Sequence, residues 1–594
     1  MSGYGYTAPL RDLRFVLHEL LDVCATSPAH GGEALDRETI DQILEAAGTF
    51  AAEVIAPLNG SGDREGCRMP SAGVVATPSG FRAAYERFTE GGWTALACDP
   101  AHGGQGMPSV LYNALYEIFC GANMGWAAYP GMSHAAYTCL ASNGDAEQQA
   151  LYLPRIASGE WAGTMCLTEP HAGTDLGLLR TRAQPRADGS YAVTGTKIFI
   201  SGGEQDLTDN IVHLVLARLP DAPPGVKGIS LFIVPKFLPT ASGEVGERNA
   251  LACGSIERKM GIHGNATCTM NFDGATGWLL GEANRGLAAM FVMMNHARIV
   301  VGVNAIGLME AACQKALAYA RDRTQGRAPA MSARSGPADP ILAHADVRRM
   351  LLTQKAYVEG TRAFALWASQ LADVQHRGAD PKERQRAATL LALATPIVKA
   401  FSSDLAVECT SMAMQVFGGH GFIADNGVEQ HLRDARIIPL YEGANGIQAM
   451  DLLGRKVLAD GGAGLGVFLD AVEQFAQAQD DGLRAFTEPL SDTVALARRA
   501  AREQLACTGT DAHAAGAAAV PFLRLMGHVA LAWMWARMAA LALARQSSDG
   551  DPIYRGKLTT ARFYFERLLP ETQALAAVLA ADASAWTAAD LDWL

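Results

Sequence analysis

Several enzyme plans are excluded by what this chain does not contain. No G-x-G-x-x-G follows a strand pattern, and there is no P-loop, H-E-x-x-H or G-x-S-x-G. The nearest glycine cluster, "GGAGLG" at 461–466, follows a helical run and reads as linker. There is no C-x-x-C pair either. The eleven cysteines are odd in number and scattered, which argues against a disulfide framework or a zinc ribbon and for reduced thiols in the cytoplasm. Charge of one sign never forms a block: 49 basic against 61 acidic residues leave a net −12, interspersed, so nucleic acid and anionic membrane are poor partners. The most hydrophobic stretch, His528 to Ala544, carries Arg537 and reads as a buried helix shorter than a membrane span. The arm "MSGYGYTAPLRDLRFVLHELLDV" has charges inside its apolar run and no small-residue cleavage site, so it is not expected to be a secretory leader.

What is present is a change of period, then a change back. Up to about residue 160, apolar residues recur at three and four, as in "TIDQILEAAGTFAAEVI", which predicts an arm and a helical domain over 1–160. Over 161–281 the period becomes two, in "YAVTGTKIFISGG", "NIVHLVLARL" and "GISLFIVPKFL", with Gly, Pro and Asp between; a β-barrel or sandwich is expected. Helical periodicity returns over 282–458, interrupted by the loop "APAMSARSGPADP" at 328–340. A last Ala- and Leu-rich helical region follows over 468–594. The fold class is therefore α+β, mostly helical.

Four segments place glycines, small hydroxyls and charges where packing alone would not ask for them. In "MCLTEPHAGTDLGLLRTRA" an apolar strand runs to Thr168 and enters a Gly/Pro loop, which serves either as a polar cradle or as a plain turn. In "TGTKIFISGGEQ", Phe199 and Ser201 fall on one side of the pleat, a pattern that suits a flat heterocycle or an ordinary core edge. "YARDRTQGR" ends a helix with Arg321, Arg323 and Arg327, as a complement to the helix dipole or as a phosphate clamp. In "MQVFGGHGFIADNGVEQHLRDARIIPLYEGANGIQAMDLLGRK", glycines 418, 419 and 421 stop a helix, and Glu442 lies in a loop before a helix near Ile447. By spacing alone Glu442 is a helix-start carboxylate.

Together with "ERKMGIHGN" at 257–265, these segments resemble, in order and spacing, the motifs of the acyl-CoA dehydrogenase family, over nearly all of 30–460. The resemblance implies an N-terminal helical domain, a β-barrel domain, a four-helix bundle and, in a long bacterial branch, an extra C-terminal helical domain. It implies FAD as cofactor, an acyl-CoA substrate, an electron-transfer flavoprotein as acceptor and a homodimer. Glu442 matches the catalytic base that takes the α-proton as the β-hydrogen leaves as hydride to the flavin. Met165, Leu167, Thr168, Phe199 and Ser201 match residues lining the isoalloxazine. Thr174, with Arg323, Gln415 and Gly419 from a second subunit, matches the pyrophosphate and adenosine contacts, and Arg298 a position near the CoA entrance. Phe199 stands where the family often has Trp, and Ala444 and Gly446 where many members have Thr and Gln. His171 and His263 are read as plain hydrogen-bonding loop residues. An acyl-CoA oxidase, or a flavin- or acyl-CoA-binding scaffold without turnover, is the alternative.

Overall fold

The computed structural model describes residues 5–26, 35–240, 242–329, 337–507, 513–547, 549–583, 587 and 592. Part of the expected 328–340 loop, residues 330–336, lies outside the described residues. The chain divides into two compact units: Thr49–Pro108 with Ile118–Val300, and Met1–Gly48 with Ser109–Glu117 and Val301–Leu594.

The first of these units is built on a seven-stranded sheet. The path runs from Leu251–Ile256 through Thr267–Leu280, Tyr191–Ser201, Arg182–Pro185 and Asn210–Arg218 to Trp161–Cys166. Ile229–Pro235 pairs with both Asn210–Arg218 and Thr267–Leu280 and so closes the path on itself. Asn210–Arg218 and Ile229–Pro235 are buried on both faces, which explains why "NIVHLVLA" and "ISLFIVP" are nearly continuous apolar runs. Val193, Val215, Phe232, Cys268 and Phe272 fill the space enclosed. This unit also holds the part of the helix Ser109–Asn143 from Ile118 onward, whose continuity breaks at Asn123 (φ −163°, ψ 91°). There the Asn123 side chain accepts the Trp126 amide at 3.1 Å and donates to the Ile55 carbonyl at 3.2 Å, replacing helix bonds that the kink removes.

The second unit is helical. Ala345–Arg377 and Pro381–Phe417 pack together, and the C-terminal region lies against them. Its longest helix, Ala514–Arg545, touches Pro381–Phe417 at Gly527, where a Cβ would sit 2.4 Å from the Phe401 ring. It touches Ala345–Arg377 where Trp535 donates to the Ala356 carbonyl at 3.0 Å and Gly360 leaves room for the indole. The glycine-rich run at 461–466 is not an open linker: Gly462, at φ 85°, caps a helix that begins at Ala463. The expected short length of the His528 stretch is also corrected. Ala514–Arg545 spans 32 residues because small residues continue the helix on the N-terminal side. Among the described residues it is, by length and composition, one of three helices able to cross a membrane, with Gly286–Asp322 and Pro381–Phe422. Most of each apolar window is buried inside the protein.

Candidate active site

In the barrel unit, the two glycine-rich motifs are locked together from behind. The strand Trp161–Cys166 ends two residues before the expected Thr168. Thr168 still pairs with the second motif, since the Ile198 amide donates to its carbonyl at 2.9 Å. Lys197 is fully buried and donates to the Leu167 carbonyl and to Glu169 Oε1, both at 2.9 Å. Glu169 in turn accepts the Arg180 amide at 2.7 Å and the Thr181 amide and hydroxyl at 3.0 and 2.6 Å. Burial would raise the Glu169 carboxyl, but Lys197 and Thr181 hold it below the usual range. The pair is buried, ionised and saturated with hydrogen bonds, the condition under which an internal ion pair is tolerated.

Phe199 departs from pleat arithmetic. It lies at φ 60°, and the register slips from Lys197 opposite Met270 to Ile200 opposite Cys268. This bulge leaves the Phe199 ring 59% exposed while Ile200 is buried. Exposing a phenyl ring on a strained residue has no packing rationale, and such strain concentrates at ligand sites. Met165, Leu167, Thr168 and Ser201 are half-buried and Thr174 is exposed, so the expected isoalloxazine-lining residues are all within reach of solvent. His171 bonds the Leu178 carbonyl at 3.1 Å, and His263 bonds the carbonyls of Asp63 and Lys259, as expected of hydrogen-bonding loop residues. Arg298 is buried: it donates to Asn295 at 3.2 Å and its guanidinium lies 5.7 Å from the Phe291 ring centre.

In the helical unit, Pro381–Phe417 stops at Gly418, which takes φ 60°. Gln415, Gly418 and Gly419 are exposed, and a Cβ on either glycine would meet nothing within 4 Å. Tyr319 stacks on Phe417 at 4.1 Å and bonds His420 at 2.9 Å, bringing the end of Gly286–Asp322, and the exposed Arg323 just beyond it, beside these glycines. Open backbone, an exposed amide side chain and a guanidinium fit the adenosine and pyrophosphate of a dinucleotide. An exposed aromatic wall with adjacent hydroxyls, on the barrel unit, fits a flat ring system.

Glu442 takes φ 55° and Gly443 φ 84°. A non-glycine residue in this left-handed region costs about 1 kcal/mol or more and persists only where its surroundings demand it. Those surroundings are specific. The Glu442 carbonyl accepts Gln448 Nε2 at 3.3 Å, and the Asn445 amide closes the loop onto the Pro439 carbonyl at 3.0 Å. The helix Asn445–Met450 follows. From Pro381–Phe417, the buried Lys399 donates to the Gly443 carbonyl at 2.9 Å and to Asn445 Oδ1 at 2.8 Å. Asn445 Nδ2 donates to Asp404 at 2.7 Å and to the Ala400 carbonyl at 3.1 Å. Sequence reasoning passed over Lys399, Asn445 and the Glu169–Lys197 pair. The available signal was a lysine inside each of two apolar runs, "TPIVKAF" and "GTKIFI".

Four family descriptions match along the chain: acyl-CoA dehydrogenase N-terminal domain over 37–160, middle domain over 164–275, C-terminal domain over 284–458, and acetyl-CoA dehydrogenase C-terminal like over 468–590. The chain is 42% identical to 3-methylmercaptopropionyl-CoA dehydrogenase of Ruegeria pomeroyi, over 96% of this chain and 97% of that one. It is 36% identical to the broad-specificity linear acyl-CoA dehydrogenase of Mycobacterium tuberculosis, over 95% and 96%. Among solved structures, an acyl-CoA dehydrogenase from Bacillus anthracis complexed with FAD superposes with a TM-score of 0.75 at 20% identity, covering 97% of this chain and 92% of that one, a likeness of fold. The chain belongs to the acyl-CoA dehydrogenase family and is an FAD-dependent oxidoreductase acting on an acyl-CoA.

Proposed function

We propose that the substrate is 3-methylmercaptopropionyl-CoA, with medium- or long-chain linear acyl-CoA as the second reading, and that Glu442 is the base. The observation that carries the assignment of Glu442 is its left-handed backbone in a loop tied at Gly443 and Asn445 to a buried lysine. The substrate reading is supported by the Ruegeria pomeroyi relative, and the second by the Mycobacterium tuberculosis one.

A thioester α-C–H is a very weak acid, so a carboxylate that removes its proton works best where little water competes for it. In this reading the Glu442 carboxylate takes the α-proton, and its own backbone amide donates to the thioester carbonyl as enolate charge develops. Gly443 lets amide and carboxylate approach one ligand. FAD, when bound, supplies the acceptor for the β-hydrogen, which leaves with its electron pair. Met165, Leu167, Thr168, Phe199 and Ser201 would hold its ring system; Thr174, with Arg323, Gln415 and Gly419 reaching across from a second subunit, would hold its pyrophosphate and adenosine end. Arg298, buried on the Gly286–Asp322 helix, is assigned to the neighbourhood of the CoA and substrate entrance. The product is the trans-2-enoyl-CoA, as in fatty acid β-oxidation.

Electrons then pass to an electron-transfer flavoprotein, from a homodimer in the cytoplasm. The domain division is that of 1–160, 161–281, 282–458 and 468–594. Anaerobic bleaching of the 450 nm flavin band by a panel of acyl-CoA thioesters tests the substrate. Glu442→Gln should keep its yellow cofactor and lose bleaching by about 10³-fold or more; a normal rate in this variant would reassign the base. Rapid stoichiometric peroxide formation in air would favour the oxidase reading.

A further inference from the structure

The loop that carries Glu442 is held by a group that takes no part in the chemistry as described. Lys399 sits in the middle of Pro381–Phe417, within the apolar run Pro396-Ile397-Val398 and Ala400-Phe401, and its side chain is inaccessible to solvent. An ammonium costs several kcal/mol to bury unless its three donors are directed to acceptors. Two of them go to one short stretch: the Gly443 carbonyl and Asn445 Oδ1. Asn445 is the hub, since its amide nitrogen returns to Ala400 and Asp404 on the same helix and its oxygen also lies 3.1 Å from Ser403 Oγ. Helix and loop are therefore crossed by a set of bonds on either side of one peptide plane.

That plane matters because of where it lies. The Gly443 carbonyl points at Lys399 with Glu442 and Gly443 both at positive φ. If the ammonium is removed, the carbonyl loses a charge-assisted bond, and Glu442 is released toward the right-handed or extended regions that non-glycine residues prefer. That carbonyl belongs to the Gly443–Ala444 peptide, the second after the base amide, so relaxing φ at Gly443 and Glu442 shifts the Glu442 side chain, and displacements on the order of 1 Å at a reacting group cost about 10²-fold in rate.

We propose that Lys399 is a positioning residue for the dehydrogenation: with Asn445 and Asp404 it holds the Glu442–Gly443 turn in the conformation from which the base works. This rests on the reading of Glu442 as base.

The experiment uses the full-length FAD-loaded protein, anaerobic stopped flow at 450 nm with 3-methylmercaptopropionyl-CoA and octanoyl-CoA, and hydrogen exchange over residues 439–450. Lys399→Met should lower the reduction rate per bound flavin by 30-fold or more, with the thioester Kd within threefold of the unaltered protein. Exchange over 439–450 should quicken tenfold. Asn445→Ala should do the same to a lesser degree, about tenfold in rate, and decides the matter alone if Lys399→Met does not fold. A rate within threefold of normal, or a loss that merely follows lost FAD, overturns the proposal. If neither thioester bleaches the unaltered protein, or Glu442→Gln bleaches normally, the functional reading fails. The exchange result still decides whether Lys399 holds the turn: unchanged exchange rejects it.

Discussion

The two units bury charge in opposite styles. In the barrel, Glu169 and Lys197 form a balanced pair, and the bonds of Glu169 come from its own neighbourhood at Arg180 and Thr181. In the helical unit, Arg362 is wholly buried at the centre of a larger cluster. It donates to Glu117 at 2.8 and 3.0 Å, to Glu310 at 2.7 Å and to Asp12 at 2.5 Å. Lys557 bonds Asp12 and lies 2.9 Å from Glu359, which also accepts Lys355. Four carboxylates thus face three cations, Lys355, Arg362 and Lys557. Burial pushes the Glu117 carboxyl up to about 7, against the pull of Arg362, while Lys557 and Arg362 hold Asp12 well below the usual carboxylate range despite its burial. The pair organises one local turn. The cluster joins the N-terminal arm, two bundle helices, the start of Ser109–Asn143 and the C-terminal helix Pro552–Phe563, and so makes the C-terminal region part of the bundle.

That contrast can be broken in graded steps. The largest effect is expected from Arg362→Met, which leaves four carboxylates against two cations. A loss of about 3–5 kcal/mol follows from stranding buried charge, seen as a fall of many degrees in the thermal unfolding midpoint. A change within 1 kcal/mol would mean the cluster is already hydrated or protonated. Lys197→Met should cost about 3 kcal/mol in the barrel and weaken FAD retention. Adding Glu169→Gln should recover about 1 kcal/mol, because the pair is closed and its neutral counterpart keeps the Thr181 and Arg180 bonds. No recovery in the double variant would show that the pair is coupled to something beyond itself.

The smallest effect is a slope. A carboxyl whose folded pKa is raised binds more protons in the folded than in the unfolded state, so stability falls as pH rises from about 4.5 to about 7. Glu117→Gln removes that titration. Its stability relative to the unaltered protein should therefore rise across this window, by a few kcal/mol at most, and stay level above it. Denaturant melts at pH 5, 6, 7 and 8 measure this directly; parallel curves for the two proteins would place the shared proton on another member of the cluster.

Much of the architecture is legible in the sequence. Period-two runs marked the barrel because strands such as Ile229–Pro235 are short, apolar and punctuated by Gly and Pro. The Gly418 stop appeared because only glycine takes φ 60° cheaply at a helix end. The bulge at Phe199 was not legible, since pleat arithmetic assumes one residue per step and the extra residue is set by the partner strand at Met270 and Cys268. Nor was the left-handed turn at Glu442, because glutamate has no preference for that region and adopts it only under outside constraint.

By itself, then, the sequence determined the order of helical and sheet segments and the short-range punctuation between them, because periodicity and turn chemistry act over a few residues. It also carried the motifs that mark the family. The tertiary structure alone decided which lysine meets which loop. Lys399 reaches Gly443 and Asn445 across more than forty residues, and Arg362 gathers carboxylates from positions 12, 117 and 310. Such pairings leave no periodic trace: a buried charge is identified by the acceptors that make its burial tolerable, and these come from segments that only folding brings together.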